Sequence, residues 1–327
     1  MSDQEVAAED LFPIRELCAR TQLNSVTIRA WERRYGLLKP KRTSKGHRLY
    51  SESDVKRVEQ IVEWIGRGVP VSRVKALLDG APGGARSSSE ADAGGAAGAD
   101  AKLIELINQD HNDWRNAIDT LCGAVLEMSA DKTEHCLNEY FLNYPAATCG
   151  EKLLEPVFNS LQAAPIGTAA QAFLQSEIVG YVIQRSAAGK HMSRTTDLQL
   201  ICGDNTPIWR LAISALSLSD AGVRVQLINQ PCSVSVWVDL VRSNHHQAQL
   251  VFQDGIWREE DIHRIESILK PALLKPGSFM PALWLCGAAP MTSGITDPDS
   301  HNQPGFFPTP ESAVASIIAT LNDGQRR

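Results

Sequence analysis

Two arginines, Arg29 and Arg33, stand one helical turn apart in the stretch from Asn24 to Tyr35. A guanidinium can bond bidentately to the O6 and N7 of guanine, a planar recognition that the point charge of lysine does not reproduce. Five more cations follow closely: Lys39, Lys41, Arg42, Lys45 and Arg48. Their chemistry is phosphate neutralisation. Between Leu11 and Leu78 there are 15 Lys/Arg against 6 Asp/Glu, a local charge of +9 in a chain of net charge −6, so the remainder carries −15. A basic module on an acidic body attracts polyanions at one place only, and nucleic acid is the partner that fits it.

Other chemistries find no support in the spacing. The chain has no G-x-G-x-x-G, no Walker loop, no G-x-S-x-G and no paired-histidine metal helix. Cys202 before Gly203 and Cys286 before Gly287 stand where nucleophiles of α/β enzymes can sit. A buried strand-end thiol is the commoner role, and no partner base can be assigned. The seven cysteines are scattered and never form C-x-x-C, the eight histidines are dispersed, and the pair His245-His246 reads as a polar loop. Metal ligands would be bunched at short spacings, so neither a metal nor a cofactor is expected. The reading is of a non-enzyme. MSDQEVAAED lacks the basic start and apolar run of a secretory leader, and no stretch reaches the roughly 18–20 apolar residues of a membrane span. A cytoplasmic chain with reduced thiols and no membrane contact is expected.

The arginines need a scaffold, and the flanking residues spell one. Ile14, Leu17 and Cys18 recur at helical spacing. After Thr21-Gln22-Leu23, Asn24 is a good N-cap for a second helix, which runs to Tyr35 and ends at Gly36, suited to a left-handed cap. At 100° per residue Ile28, Trp31 and Tyr35 share one stripe, and Val26, Arg29 and Arg33 lie opposite. Leu37 to Thr43 then leads through Ser44-Lys45-Gly46 into His47-Arg48-Leu49-Tyr50, a hairpin whose cations line a wing. Ser51 and Asp54 cap a third helix with Val55, Val58, Val62 and Ile65 as its buried stripe. Ser72 caps a fourth, through Val74, Leu77 and Leu78, closed by Gly80.

The run from Thr27 to Asp54 closely resembles the DNA-binding domain of MerR-family transcriptional regulators, without a gap over about seventy residues. The resemblance implies a winged helix-turn-helix over 11–80. Thr27, Arg29 and Arg33 would approach bases or neighbouring phosphates, and Arg34 is counted with that DNA-facing set. Tyr35, Arg42, His47, Arg48 and Tyr50 would clamp the backbone, while Trp31 is divided evenly between core and phosphate contact. Ala30 to Pro40 and Gly46 to Leu49 resemble in particular the MlrA-like branch, whose members regulate curli and biofilm genes. The implied partners are double-stranded promoter DNA, RNA polymerase and a second copy of the chain.

Residues 81–101 are rich in Gly, Ala and Ser. They read as a flexible linker with a reach of about 25 Å, which leaves dimerisation to the body and lets the heads move. Helices are predicted at Leu103 to Met128, Thr133 to Tyr144, Cys149 to Ala163 and Thr168 to Ala188, giving a four-helix bundle over 102–190. From 195 to 290, strands at 198–202, 223–228, 249–252 and 282–286 alternate with helices at 207–221, 233–243 and 259–273, the pattern of a doubly wound parallel sheet. The tail 291–327 is expected to be largely disordered, with a short helix at 311–321.

This body resembles the effector half of cobalamin-dependent photoreceptor regulators. Those hold cobalt through a histidine in a D/E-x-H-x-x-G loop. Here the loop reads Asp204-Asn205-Thr206-Pro207-Ile208-Trp209, with Thr206 in place of the histidine and Trp209 in place of the glycine. The tryptophan followed by Glu-His expected in the bundle is missing too. Three functions remain. The first is a DNA-binding regulator whose degenerate α/β domain is a dimerisation or protein-contact platform without cobalamin. The second is a regulator whose pocket senses another small molecule, such as a nucleotide messenger or metabolite. The third, an interaction protein that merely retains the head, is disfavoured by the retained Arg29, Arg33, Arg42 and Arg48.

Overall fold

The computed structural model describes residues 11–21, 23–80, 113–188, 197–243, 248–269, 283–292 and 305–325. The linker predicted at 81–101, the start of the helix predicted from Leu103, and His245-His246 lie outside the described residues. The chain divides into two compact units, Met1–Ala170 and Gln171–Arg327.

The first unit opens with a short strand, β1 (Phe12–Pro13), then α1 (Ile14–Thr21) and α2 (Ser25–Ala30), which continues without a break into a π-helical turn (Trp31–Tyr35). Two further strands, β2 (Lys41–Arg42) and β3 (Arg48–Tyr50), form the wing, and α3 (Glu52–Gly66) and α4 (Val71–Gly80) close the head. The order in the antiparallel sheet is β1-β3-β2. One core unites these elements: Leu17, Ile28, Trp31, Leu38, Val58 and Ile61 are among its fully covered residues. The buried stripe of α3 is Val55, Val58, Ile61 and Ile65, with Val62 only partly covered. The prediction had Val62 in the place of Ile61.

The remaining helices of this unit are α5 (113–126), α6 (Ala130–Asn143), α7 (Ala146–Cys149), which passes through a π turn (Gly150–Leu154), and α8 (Glu155–Gln162). The Tyr144-Pro145 break separates α6 from α7 as the sequence requires, because the residue before proline is pushed out of the helical region; Tyr144 has φ −122° and ψ 152°. α9 (Gly167–Ala188) crosses from the first unit into the second, so the compact division falls inside a helix and not near 190.

In the second unit β4 (Asp197–Cys202), α10 (Ile208–Asp220), β5 (Arg224–Leu227), α11 (Val234–Ser243), β6 (Ala248–Phe252), α12 (Glu259–Leu269) and β7 (Leu283–Cys286) follow in turn. Every strand pair is parallel, in the order β5-β4-β6-β7-β8, where β8 is Gly305–Phe307. With helices on both faces, the central strands are apolar apart from Asp197 and the buried pair Gln199 and Gln249, the latter's amide nitrogen donating to the former's oxygen at 3.1 Å. Ile201, Trp237, Val251, Ile265 and Leu285 form the core on one face.

The fifth strand, β8 (Gly305–Phe307), and the helix α14 (Pro310–Gln325) after it lie in the segment expected to be largely disordered. The strand corrects the expectation at 305–307, whereas α14 falls on the short helix expected at 311–321. β8 pairs with β7 from Trp284↔Gly305 to Cys286↔Phe307, and α14 packs on α10. A three-residue strand bounded by Pro304 and Pro308 has too little pattern to be read as a strand. Its glycine is required by contact: a Cβ on Gly305 would lie 2.4 Å from the Phe307 ring. Between β7 and β8, the short helix α13 (Ala288–Thr292) starts after Gly287, whose φ of +112° leaves no room for a side chain.

Candidate nucleic-acid interface

The reading helix is anchored at both ends by the residues expected to do so. Asn24 is extended (φ −76°, ψ 154°), and its side chain accepts the Thr27 N–H at 2.7 Å. Such a cap contributes about 1 kcal/mol. At the other end Gly36, at φ +58°, sends its N–H back to Glu32 and Trp31 carbonyls. The third helix is fixed similarly, the Asp54 carboxylate accepting the Ser51 N–H at 2.9 Å.

Between these caps the two stripes separate as predicted. Ile28 and Trp31 are buried, Tyr35 is half-buried, and Val26, Arg29 and Arg33 are exposed. Arg29 and Arg33 make no hydrogen bond or ion pair among the described residues, so their donors face water. In the wing Lys41 pairs with Leu49 and Arg42 with Arg48. The Thr43 N–H donates to the His47 carbonyl at 2.9 Å, and Gly46 turns the chain at φ +82°. His47 is exposed at the tip.

The residue that ties wing to helix was not singled out in the sequence. Glu32, at 13% side-chain exposure, receives Arg42 at 3.0 Å on one carboxylate oxygen and Arg48 at 2.5 Å on the other. A carboxylate gripping two guanidiniums fixes the wing against the first turn of the π segment. The signal was there as one acidic residue within the basic run, read simply as part of the motif. The bond to Glu32 raises the Arg48 pKa above its ordinary value. Tyr50 is pushed up to about 12, by burial first and the Glu32 charge second, and its hydroxyl has no partner.

Four of the expected DNA contacts are placed otherwise. Thr27, Trp31 and Tyr50 are all 0% exposed and offer no surface to a duplex. Trp31 lies in the head's own core, and α2, which carries Thr27, packs on α6. The Trp31 indole donates to the Asn143 carbonyl at 2.8 Å, and Arg34 donates to the Asn143 side-chain oxygen at 3.2 Å. Thus Arg34, exposed as it is, is turned toward α6. The Thr27 hydroxyl is buried with no hydrogen-bond partner, an arrangement that costs on the order of 1–3 kcal/mol. The expectation of a freely moving head meets this contact directly. The sequence could not show it, because the periodicity of α2 reports which residues avoid water and not which body covers them.

In the α/β unit, the loop after β4 is closed on itself. The Thr206 hydroxyl donates to the Asp204 carbonyl at 3.0 Å and accepts the Asp254 N–H at 3.1 Å. The Gln253 amide nitrogen donates to the Asp204 carbonyl at 3.0 Å, across a Gly203 whose Cβ would sit 1.9 Å from the Gln253 oxygen. Trp209 is 6% exposed with the Arg210 guanidinium 5.4 Å over its ring. Burial pushes the Cys202 thiol up to about 12 and its Sγ contacts the Thr206 carbonyl, which removes the nucleophilic thiolate at neutral pH. No group of three or more metal-ligating side chains occurs among the described residues. Thr206 is a poor cobalt ligand with both its hydrogen-bonding roles taken, and the indole fills the position of a glycine, so these residues do not fit cobalamin.

A capped helix bearing free arginines, with a basic wing clamped to it, is a DNA-reading head of the winged helix-turn-helix class. The profile of the MerR HTH family regulatory protein matches residues 12–81. Over 267 residues the chain is 30% identical to the HTH-type transcriptional regulator MlrA of Escherichia coli (strain K12), covering 76% of this chain and 96% of that one. It is 27% identical over 208 residues to the HTH-type transcriptional repressor CarH of Myxococcus xanthus, covering 62% and 65%. Among solved structures, the monomethylamine corrinoid protein of Methanosarcina barkeri is similar at TM-score 0.41 and 9% identity, covering 63% of this chain and 99% of that one. The chain belongs to the MerR family of transcriptional regulators, in its MlrA-like branch. No described helix is long and apolar enough to cross a membrane.

Proposed function

We propose that the protein is a cytoplasmic, sequence-specific regulator that binds promoter DNA as a homodimer and contacts RNA polymerase there, with a body that serves dimerisation and regulation without cobalamin. The observation that carries this reading is the pair Arg29 and Arg33, exposed and without intramolecular partners on a helix capped at both ends. Arg29 and Arg33 are the base readers in this scheme. Arg42, His47 and Arg48 hold the wing to phosphate, and Tyr35 flanks them. Two heads are needed because one reads only half of a two-fold operator. Promoter deformation of the kind that repositions polymerase costs on the order of 1–6 kcal/mol, which the wing and helix contacts must offset. Targets among biofilm genes follow from the likeness to MlrA regulators.

The closed loop at Thr206 supports a platform role for the α/β unit over ligand sensing at that loop. A footprint across the protein's own and neighbouring promoters tests the whole reading. A protected, near-palindromic element whose affinity falls steeply with salt is the expected result. Uniform binding to any duplex, or none, would remove the specific-regulator reading.

A further inference from the structure

The face of α2 that carries Thr27, Trp31 and Arg34 is spent on an intramolecular contact, while Arg29 and Arg33 on the opposite side stay free. We propose that the C-terminal end of α6 is an intramolecular competitor of DNA for the reading helix, with Asn143 as its latch. Docked, α6 withholds Thr27 and Arg34; undocked, both can reach a phosphate. This latch rests on the head being a DNA reader.

Asn143 is built for the role. It is 7% exposed, and both of its oxygens receive donors from the head, the backbone carbonyl from Trp31 and the side-chain oxygen from Arg34. Its own amide nitrogen donates to the Glu139 carbonyl at 2.7 Å, which fixes the side-chain oxygen toward Arg34. Behind it Trp114, Tyr140 and Tyr144 form an aromatic cluster, with ring centroids 4.8 Å apart for Trp114 and Tyr144, and Tyr144 packs against the head's core. A second point of attachment lies at the end of α3, where Lys152 donates to the Ile65 carbonyl at 3.2 Å. The contact therefore grips α2 and α3 together, the two helices that frame the wing.

The chemistry of this contact marks it as releasable. The Thr27 hydroxyl, on the helix that packs against α6, is buried without a partner, a cost that lasts while the contact holds. Arg34 meets a neutral amide where a carboxylate would bind it more strongly. Both groups are better served by a phosphate, a negatively charged acceptor that suits hydroxyl and guanidinium alike. Encounter can begin at Arg29 and Arg33 without disturbing the latch, and full engagement then draws Thr27 and Arg34 away from α6. A head held closed for part of the time has its apparent affinity reduced by the open fraction.

The test uses the full-length protein on the footprinted promoter fragment, with two variants of opposite sign. Asn143→Arg places a cation against Arg34 and is expected to tighten DNA binding by about threefold to tenfold. Asn143→Asp offers Arg34 a carboxylate and is expected to weaken binding by a similar factor. Trp31→Phe, which removes the indole donor together with part of a buried ring, backs up the first should it fold poorly, and at an unchanged melting temperature is also expected to tighten binding. Amide exchange of the unmodified protein supplies a readout that needs no variant: residues 139–146 should exchange faster once DNA is bound. Both Asn143 variants weakening binding at unchanged melting temperature, neither changing it, or unaltered exchange at 139–146 in the complex would each overturn the latch. Failure of the unmodified protein to bind any duplex would instead overturn the DNA-reading assignment.

Discussion

The head and the α/β unit each carry loops at the place where their fold usually meets a ligand, and the two treat their polar groups in opposite ways. In the head, Arg29 and Arg33 point donors into water, and Glu32 spends a carboxylate on holding Arg42 and Arg48 in place. In the α/β unit, the loops after β4 and β6 turn most of their polar groups inward: Thr206 bonds to Asp204 and Asp254, and the Gln253 amide nitrogen to Asp204, while the Gln253 side-chain oxygen is buried without a partner. Exposed donors without an intramolecular partner suit a surface that receives a polyanion, and loop groups bonded to one another suit a closed joint. The difference supports the proposal that recognition lies in the head and that the strand-end loops of the α/β unit are scaffold.

The largest expected effect comes from emptying the head of its free donors. Arg33→Ala should lower affinity for the specific promoter element by about 1–3 kcal/mol per half-site, and so by roughly twice that for a dimer. Gel-shift titration against specific and unrelated duplexes reads both values. Specific affinity should fall much further than non-specific affinity. Equal losses on both duplexes would make Arg33 a phosphate contact and move base reading elsewhere on α2.

Glu32→Ala asks whether the wing must be pre-positioned. The substitution frees two arginines, so a pure charge argument expects tighter binding. The geometry expects the reverse, because a wing released from Glu32 must be ordered at the moment of binding. A loss of about tenfold in affinity, with a salt slope no shallower than that of the parent, is the expected outcome. Tighter binding would show that Glu32 restrains the wing instead of presenting it.

How much of this contrast was legible in the sequence differs between the two regions for a physical reason. The head could be read nearly residue by residue because its determinants are local. Asn24 and Gly36 set the ends of one helix, Gly46 turns the wing, and Arg29 and Arg33 follow from a 100° period. What escaped was long-range: the packing of α2 on a helix that starts about a hundred residues later, and the role of Glu32 across the wing. The α/β unit announced its four longer strands through apolar runs, yet β8 was lost, since three residues between prolines carry no period. The closure of the Thr206 loop was half visible. The missing histidine could be read, but Gln253 and Asp254 arrive from the next strand over, through a pairing that periodicity does not encode.

The scaffold side of the contrast has its own signature in alkaline stability. Burial in the sheet holds the Cys202 pKa at about 12 against an ordinary value of 9.0. A pKa raised on folding means that the native state holds its proton more tightly than the unfolded chain. Its contribution is complete below pH 9 and is lost progressively as the pH rises toward 12. At pH 10 this thiol alone should cost on the order of 1 kcal/mol of folding stability. Urea titrations between pH 8 and pH 10 check this, and Cys202→Ala should flatten the slope by that amount. An unchanged slope would place the alkaline transition on other groups, such as Cys286, whose pKa is also raised by burial.

The smallest expected effect is none at all, and it bears directly on the loop. A ligand at one hundred times its Kd stabilises the fold that binds it by about 2.7 kcal/mol. Hydroxocobalamin, titrated to high micromolar levels in the dark, should leave the melting temperature where it was and show no ligand-exchange change in its visible spectrum. Thr206→His alone should not create binding either. The imidazole would displace the hydroxyl that joins Asp204 to the Asp254 N–H, and Trp209, covered and stacked under Arg210, would still fill the adjoining space. The double substitution Thr206→His with Trp209→Gly removes both obstacles and is the variant in which a spectral shift is expected. A shift with the unmodified protein would mean that the Thr206–Asp254 bond opens in solution, and the contrast between a spent loop and an unspent helix would no longer hold.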